Sequence, residues 1–427
     1  MTLPKARMAK NAASRLSSAS SDVRNAALDH FVKNLQDGRA KILAANQVDL
    51  DAAKRDCIAD SLIGRLKLDD KKFDDLLKGL GVVMALPDPV GKCLMHRAID
   101  DDLILQKITC PIGVVAVIFE SRPDALPQIA ALAIKSGNAI ILKGGREAIH
   151  TNTALFDCLE RAVIKAGLPQ DCVQLLMDRK DVDALLAADD CIDLIIPRGS
   201  SDLVRYIQKN TDIQVLGHAE GICHAYVDAS ADLDLAAKVL IDAKCNYPAA
   251  CNAIETILFD QSLPIEAMQS IVAALKERGV EVRAPEEEDL ARQVGADVLP
   301  PQGAYVTEYG DLIVALAIVA GVDGAIEHVR QYGSGHTEIV IAQDQKIFDK
   351  FFAAVNAAGI YLNASSRFAD GFRYGFGAEV GISTGKFHPR GPVGIEGLVS
   401  YKYKIIGKGN TVGEYADGTK TYKHKDL

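Results

Sequence analysis

Apolar positions in residues 20–37, "SSDVRNAALDHFVKNLQD", place Leu28, Phe31, Val32 and Leu35 on one helical stripe, with serines to cap its start and Gly38 to stop it. Helical, charged sequence runs on to about Leu80, which predicts an opening layer of helices. From residue 111 the pattern changes. "PIGVVAVIF" (111–119) is a continuous β-branched run of the kind buried on both faces of a parallel sheet. A helix over 124–138 follows, then the strand "AIILK" (139–143), a Gly-Gly turn, and a helix over 147–167 with Leu155, Cys158, Leu159, Ala162, Val163 and Ala166 on one face. "CVQLLM", "IDLIIP" and "IQVLG" read as further strands between short helices near 181–188 and 201–210. Alternation of this density predicts a doubly wound, mainly parallel sheet.

A helix over 229–245 delivers the chain into "CNYPAACNAIET" (245–256), and "NAIETILF" reads as a strand opening a second α/β unit that runs to about residue 395. Residues 398–409, "LVSYKYKIIGKG", alternate like an edge strand or hairpin, and the polar tail 410–427 is expected to be extended.

Composition narrows the function classes. A chain of 427 residues, 48% hydrophobic and 25% charged, is expected to form two or three globular domains. A net charge of −9 argues against nucleic acid or an anionic membrane as partner, so an anionic substrate requires a locally basic pocket. The nine cysteines are scattered, with no C-x-x-C pair and no Cys/His cluster at zinc spacing, so reduced thiols and no metal are expected. The opening residues carry positive charge without an apolar stretch, and no run approaches membrane-span length; the expected location is cytoplasmic.

Ligands of doubly wound sheets bind beyond the carboxyl ends of the strands. Three such ends are suggestive: Glu120, Ser121 and Arg122 in "ESRP"; Lys143, Gly144, Gly145 and Arg146 in "KGGRE"; and Pro197, Gly199, Ser200 and Ser201 in "PRGSSD". Small residues let backbone N–H groups approach a phosphate, and the basic side chains add charge. Among thiols, Cys251, Cys245 and Cys223 are equally eligible on composition, and buried packing is the ordinary fate of cysteine. The residues by themselves lead to a nucleotide-binding α/β enzyme with a candidate thiol.

The stretch "PIGVVAVIFESRPDALPQIAALAIKSGNAIILKGGREA" resembles the cofactor-binding core of the aldehyde dehydrogenase superfamily. More narrowly, "GHAEGICHAYVDASADLD" (217–234), "YPAACNAIET" (247–256), "YGSGHTEIVIAQD" (332–344) and "NASSRFADGFRYGFGAEVGISTGKFHPRGPVGIEGL" (363–398) are similar to the gamma-glutamyl phosphate reductase (glutamate-5-semialdehyde dehydrogenase) family, without the kinase portion of bifunctional homologues.

The resemblance implies an aldehyde dehydrogenase-like fold: an NADP(H)-binding domain over 1–93 and 112–228, a catalytic domain over 229–395, and an oligomerisation arm and tail over 94–111 and 396–427. It implies NADPH-dependent reduction of L-glutamyl 5-phosphate to glutamate 5-semialdehyde and phosphate, the second step of proline synthesis, through a thioester on Cys251. Arg122 falls where relatives place an oxyanion-holding Asn, and is expected to bind the acyl phosphate or polarise its carbonyl. Lys143 is carried over to the adenosine ribose, Arg146 to the 2′-phosphate of NADPH, and Gly199, Ser200 and Ser201 to the pyrophosphate. Glu308 is carried over to the nicotinamide ribose. Asn363, Ser365, His388, Arg390 and Gly391 are expected near the substrate's α-carboxylate. A homo-oligomer and a complex with glutamate 5-kinase are the implied assemblies.

One departure is informative. Hydrolytic aldehyde dehydrogenases carry a water-activating Glu in "ELGGK"; the corresponding "VLGHAEG" (215–221) has none at the matching place, Glu220 being nearest. The rival readings are a hydrolytic aldehyde dehydrogenase acting on another aldehyde and a non-catalytic nucleotide-binding homologue.

Overall fold

The computed structural model describes residues 2–58, 60–178, 180–284, 288–297 and 303–427. The chain divides into two compact units, one of residues 1–216, 375–381 and 393–427, the other of residues 217–374 and 382–392.

The first unit is built on a parallel sheet ordered Val173–Leu176, Ala139–Lys143, Val114–Phe119, Leu194–Arg198. Every residue of Val114–Phe119 and Ala139–Lys143 is buried, as their unbroken apolar runs require. Helices Ala125–Lys135 and Ile149–Lys165 make the crossovers. The expected opening layer is present: Leu28, Phe31 and Leu35 of helix Ser21–Asp37 are buried in the same core, Ser20 caps the helix by accepting from Val23 N, and Gly38 ends it. The expected strand at "IQVLG" is instead irregular chain touching the sheet through one bridge, Val215 to Ile195.

Residues expected to form an arm do pair with one another. Strand Val399–Ile406 lies antiparallel to Leu103–Pro111, which lies antiparallel to Cys93–Asp100. The tail is more ordered than its polarity suggested. It carries a short helix Val412–Ala416 with a Thr411/Glu414 capping box, and strand Lys425–Asp426 pairs with Cys93–Asp100, where Arg97 and Asp426 form a 2.7 Å ion pair.

The second unit holds a six-stranded parallel sheet ordered Gly359–Leu362, Thr337–Ile341, Cys223–Val227, Ile254–Asp260, Ile313–Val319, Glu281–Arg283. One face packs Ala225, Ile257 and Ile339 against helices Leu233–Cys245 and Ile265–Lys276; the other packs Tyr226, Leu258 and Val340 with Val329 and Phe351. The division therefore falls at 216/217 and not at the expected 228, because Cys223–Val227 finds both its strand partners, Ile254–Asp260 and Thr337–Ile341, in this sheet.

Candidate active site

In the second unit, functional side chains gather at the amino ends of three neighbouring strands. Helix Leu233–Cys245 ends, the chain turns through Ala250 N to Tyr247 O and Ala253 N to Ala250 O, and strand Ile254–Asp260 begins; Cys251 sits in that turn, partly exposed. Cys223, by contrast, is fully buried and burial pushes its thiol well above the ordinary 9.0. It donates to the Cys251 carbonyl at 3.4 Å and supports the turn. Cys245 is partly buried and its thiol is also pushed up by burial. Of the three eligible thiols, Cys251 is the one set into a turn beside the groups described next.

Three features surround Cys251. A Cβ built on Gly221 would stand 2.0 Å from the Cys251 carbonyl oxygen, so this close backbone crossing admits only glycine. The Gly221 N–H donates to Glu308 Oε2 at 3.0 Å; burial raises the Glu308 carboxyl above its ordinary range, while that hydrogen bond pulls it back. Next to Cys251, Asn252 is held by Arg367, whose guanidinium donates through Nη1 to Asn252 Oδ1 and through Nε to Asn246 Oδ1 at 3.4 Å. Arg367 is 8% exposed; burial and then Arg373 lower its pKa, against Asp370 and the electrostatic influence of Cys251 itself. Finally, His218 and His336 bring ring nitrogens within 4.8 Å of the Cys251 sulfur and of each other.

His218, Gly221, His336 and Arg367 lie within the blocks that carry the family resemblance, but nothing in those blocks singles them out. The signal was available only in part. A buried arginine in an acidic chain asks for a reason, but nothing in the spacing of 218, 251, 336 and 367 brings them together before the parallel strand order is known.

The remaining expected substrate residues are also in this unit. Asn363, at φ +54, commits its side chain to backbone: Oδ1 accepts from Ala342 N at 3.0 Å and Nδ2 donates to Ala342 O at 2.9 Å. Ser365 Oγ accepts from Arg367 N at 3.3 Å, which makes it a support for the arginine. Arg390 donates to Asn356 Oδ1 at 2.6 Å and to the Asn356 carbonyl at 3.0 Å, His388 is exposed, and Gly391 takes φ +79.

In the first unit, the three strand ends converge as expected of one sheet. Ser121, at φ +45 and buried, donates from both N and Oγ to Glu147 Oε1 at 2.6 and 2.8 Å. Glu120 Oε2 accepts from Ser200 N at 2.9 Å, and Ser200 Oγ caps helix Ser201–Lys209 by accepting from Leu203 N; Pro197 is buried in its strand. Lys143 is 6% exposed, with Nζ donating to the Gly144 carbonyl at 2.6 Å, and burial lowers its pKa. Arg146 is exposed at the start of the following turn. Arg122 is partly exposed just beyond the end of strand Val114–Phe119.

The strand ends fit a nicotinamide dinucleotide. Gly144, Gly145 and Gly199 form a cradle that side chains would fill: an added Cβ would lie 2.2 Å from Asn152 Nδ2, 2.0 Å from Glu147 Oε1 and 2.4 Å from Glu120 Oε2 respectively. Asn152 is 3% exposed and, among the described residues, its Oδ1 has no hydrogen-bond partner, an acceptor ready for a ligand donor. These are the features that let a backbone approach phosphate and ribose.

A sequence profile of the aldehyde dehydrogenase family matches residues 95–315. The chain is 47% identical to a gamma-glutamyl phosphate reductase of Ruminiclostridium cellulolyticum over 97% of its own length and 95% of that protein, and 45% identical to one of Prochlorococcus marinus over 98% and 95%. The solved structure of gamma-glutamyl phosphate reductase from Thermotoga maritima superposes with a TM-score of 0.93 at 37% identity, covering 96% of this chain and 100% of that one. With the strand orders, the Cys251 turn and this near-full-length identity, the chain belongs to the gamma-glutamyl phosphate reductases of the aldehyde dehydrogenase family.

Proposed function

We propose that this chain reduces L-glutamyl 5-phosphate to L-glutamate 5-semialdehyde and inorganic phosphate through a thioester on Cys251. The observation that carries the assignment to Cys251 is its partly exposed place in a turn whose backbone is fixed by Gly221 and whose neighbour Asn252 is gripped by a buried arginine. The thiolate sulfur attacks the acyl carbon, an S–C bond forms, and the C–O bond to phosphorus breaks to expel phosphate. When bound, the reduced nicotinamide cofactor supplies the hydride that converts the thioester to a thiohemiacetal. That adduct collapses, the aldehyde leaves, and the Cys251 thiolate is restored.

The chain's own groups have separable tasks. Arg367 supplies positive charge next to the Cys251 turn and steadies Asn252. Arg122 offers a guanidinium suited to the acyl phosphate. Lys143, Gly144, Gly145, Gly199, Ser200 and Ser201 hold the cofactor's ribose and pyrophosphate, Arg146 selects its 2′-phosphate, and Glu308, anchored by Gly221 N–H, takes the nicotinamide ribose. Arg390 offers positive charge and His388 a ring hydrogen-bonding group to the substrate's α-carboxylate, with Asn363, Ser365 and Gly391 shaping the loops that carry them.

Two assemblies accompany this reading. The outer edge of strand Val399–Ile406, with Tyr401, Tyr403, Ile405 and Ile406 exposed, is suited to pairing with a second copy. The lability of an acyl phosphate favours direct delivery from glutamate 5-kinase. Free thiols throughout the chain fit a reducing cytoplasm. No described helix is long and apolar enough to cross a membrane.

The test runs the reaction backwards, with glutamate-5-semialdehyde and NADP⁺, following NADPH with and without inorganic phosphate. Strict dependence on phosphate supports thioester phosphorolysis. Turnover without phosphate assigns the thioester to hydrolysis and refutes the reading of "VLGHAEG".

A further inference from the structure

Residues 218, 251 and 336 are far apart in sequence and carry no metal-binding spacing, yet strand order brings their donor atoms together. His218, Cys251 and His336 each offer one ligand atom, all within 4.8 Å of one another. The two rings meet edge to face with centroids 4.8 Å apart.

Both imidazoles are already oriented by partners on one nitrogen. His218 Nδ1 stands 2.9 Å from the Ile382 carbonyl, an acceptor only, so Nδ1 bears the hydrogen and Nε2 presents its lone pair. His336 Nδ1 stands 2.9 Å from Thr337 Oγ1 and 3.8 Å from the Cys223 sulfur, while its Nε2 is buried without a partner among the described residues, in a residue that is 0% exposed. A buried orphan ring nitrogen beside a second oriented imidazole and a thiol is a donor set of defined type. A carbonyl or hydroxyl fixing the far nitrogen of a ligating histidine is the usual outer layer of zinc centres. Cys223 does not complete the set, since its S–H is committed to the Cys251 carbonyl.

We propose that His218, Cys251 and His336 form a site for a thiophilic divalent cation, Zn²⁺, that reversibly blocks the enzyme by taking the nucleophile's lone pair. Zinc takes sulfur at about 2.3 Å and imidazole nitrogen at about 2.0 Å in tetrahedral array, so donors stand roughly 3.3–3.6 Å apart when bound. Closing from within 4.8 Å asks for movements on the order of 1 Å by side chains in a loop and at strand ends. Binding forms one Zn–S and two Zn–N bonds, releases the Cys251 thiol proton to solvent, and leaves a fourth position for water; no electron is transferred. The inhibition rests on Cys251 being the nucleophile. The metal site itself does not.

The test uses the full chain and Co²⁺ as a spectroscopic stand-in for Zn²⁺, without substrate or cofactor. One equivalent is expected to give a thiolate-to-cobalt charge-transfer band and tetrahedral visible bands, both displaced by Zn²⁺. The charge-transfer band disappears in Cys251→Ser, and affinity falls at least about tenfold in His336→Gln and in His218→Gln. In the wild-type protein, one equivalent of Zn²⁺ protects Cys251 from alkylation, and a chelator restores both alkylation and turnover; this arm does not depend on any variant folding. Binding without the charge-transfer band, or affinity unchanged in both histidine variants, overturns the site. If the phosphate-dependence test fails while the cobalt bands appear, the proposed function falls and the metal site stands. If phosphate dependence holds and no cobalt bands appear, the reverse is true.

Discussion

Gly221 crosses the Cys251 peptide so closely that an added Cβ would lie 2.0 Å from its carbonyl oxygen, 2.6 Å from its carbonyl carbon and 2.7 Å from its Cα. The obstruction is backbone, so no rotamer change relieves it. The same glycine donates its N–H to Glu308. If Cys251 is the nucleophile, Gly221→Ala is therefore expected to displace it by a sizeable fraction of an ångström and to lower kcat/KM by about 10²-fold, the scale on which small misplacements act. Alkylation of Cys251 would change in rate as well. Wild-type turnover in the variant would show that the turn does not need this crossing.

Lys244 and Glu255 form an ion pair of 2.8 Å with side chains 0% and 1% exposed. Burial pushes the Glu255 carboxyl up to about 7, although the Lys244 ammonium works to lower it. A carboxyl raised from its ordinary 4.5 favours the folded state at low pH, and that advantage is lost as pH rises through about 7. Lys244→Met removes the counter-charge, which is expected to cost about 3–5 kcal/mol in urea unfolding at about pH 8. The deficit should shrink at about pH 5, where Glu255 binds a proton, and adding Glu255→Gln should recover most of it at either pH. An equal deficit at both pH values would mean that Glu255 stays ionised without its lysine.

His328 packs between Tyr305 and Tyr332, ring centroids 4.7 and 4.6 Å away, and among the described residues neither of its ring nitrogens finds a partner. Burial, and then the neighbouring His224, takes its pKa from the ordinary 6.5 down to about 3. The unfolded chain thus takes up a proton that the folded chain refuses, so stability is lost as pH falls from 6.5 towards 3. His328→Phe keeps the aromatic packing and removes the titration. Its stability should fall less steeply between about pH 6 and 4, by at most about 1.4 kcal/mol per pH unit relative to wild type. Parallel pH profiles would show that the histidine is already solvated in the native state.

Periodicity carried the elements well where burial is two-sided. Val114–Phe119 and Ala139–Lys143 are unbroken apolar runs and appear as buried strands. It failed where context decides. "IQVLG" has strand composition but, among the described residues, touches the sheet through one bridge at Val215, and the polar tail forms a helix with its own Thr411/Glu414 capping box and a short strand paired with Cys93–Asp100. The unit boundary was misplaced for a related reason: nothing in Cys223–Val227 says which of two sheets it will join. Within the site, Cys251 was legible through its motif. Gly221, His218, His336 and Arg367 were not, because their significance lies in strand order and in one backbone crossing, neither of which leaves a spacing in the sequence.

The cofactor reading makes its sharpest demand of Arg146. The residue is exposed, follows the Gly144–Gly145 cradle, and begins a short turn ahead of helix Ile149–Lys165. Lys143, in contrast, is buried, donates to the Gly144 carbonyl and is lowered in pKa by burial, so it is a poor choice for gripping an additional phosphate. If Arg146 binds the 2′-phosphate, Arg146→Ala should raise the KM for NADPH about tenfold or more, the loss of roughly 1.4 kcal/mol or more expected for a charge-assisted contact, with kcat nearly unchanged. Activity with NADH, which has no such phosphate, should be almost unaffected, and higher salt should weaken the wild-type preference because the contact is exposed. A matched loss with both cofactors would reassign Arg146 to the shape of the turn and leave the 2′-phosphate to another group.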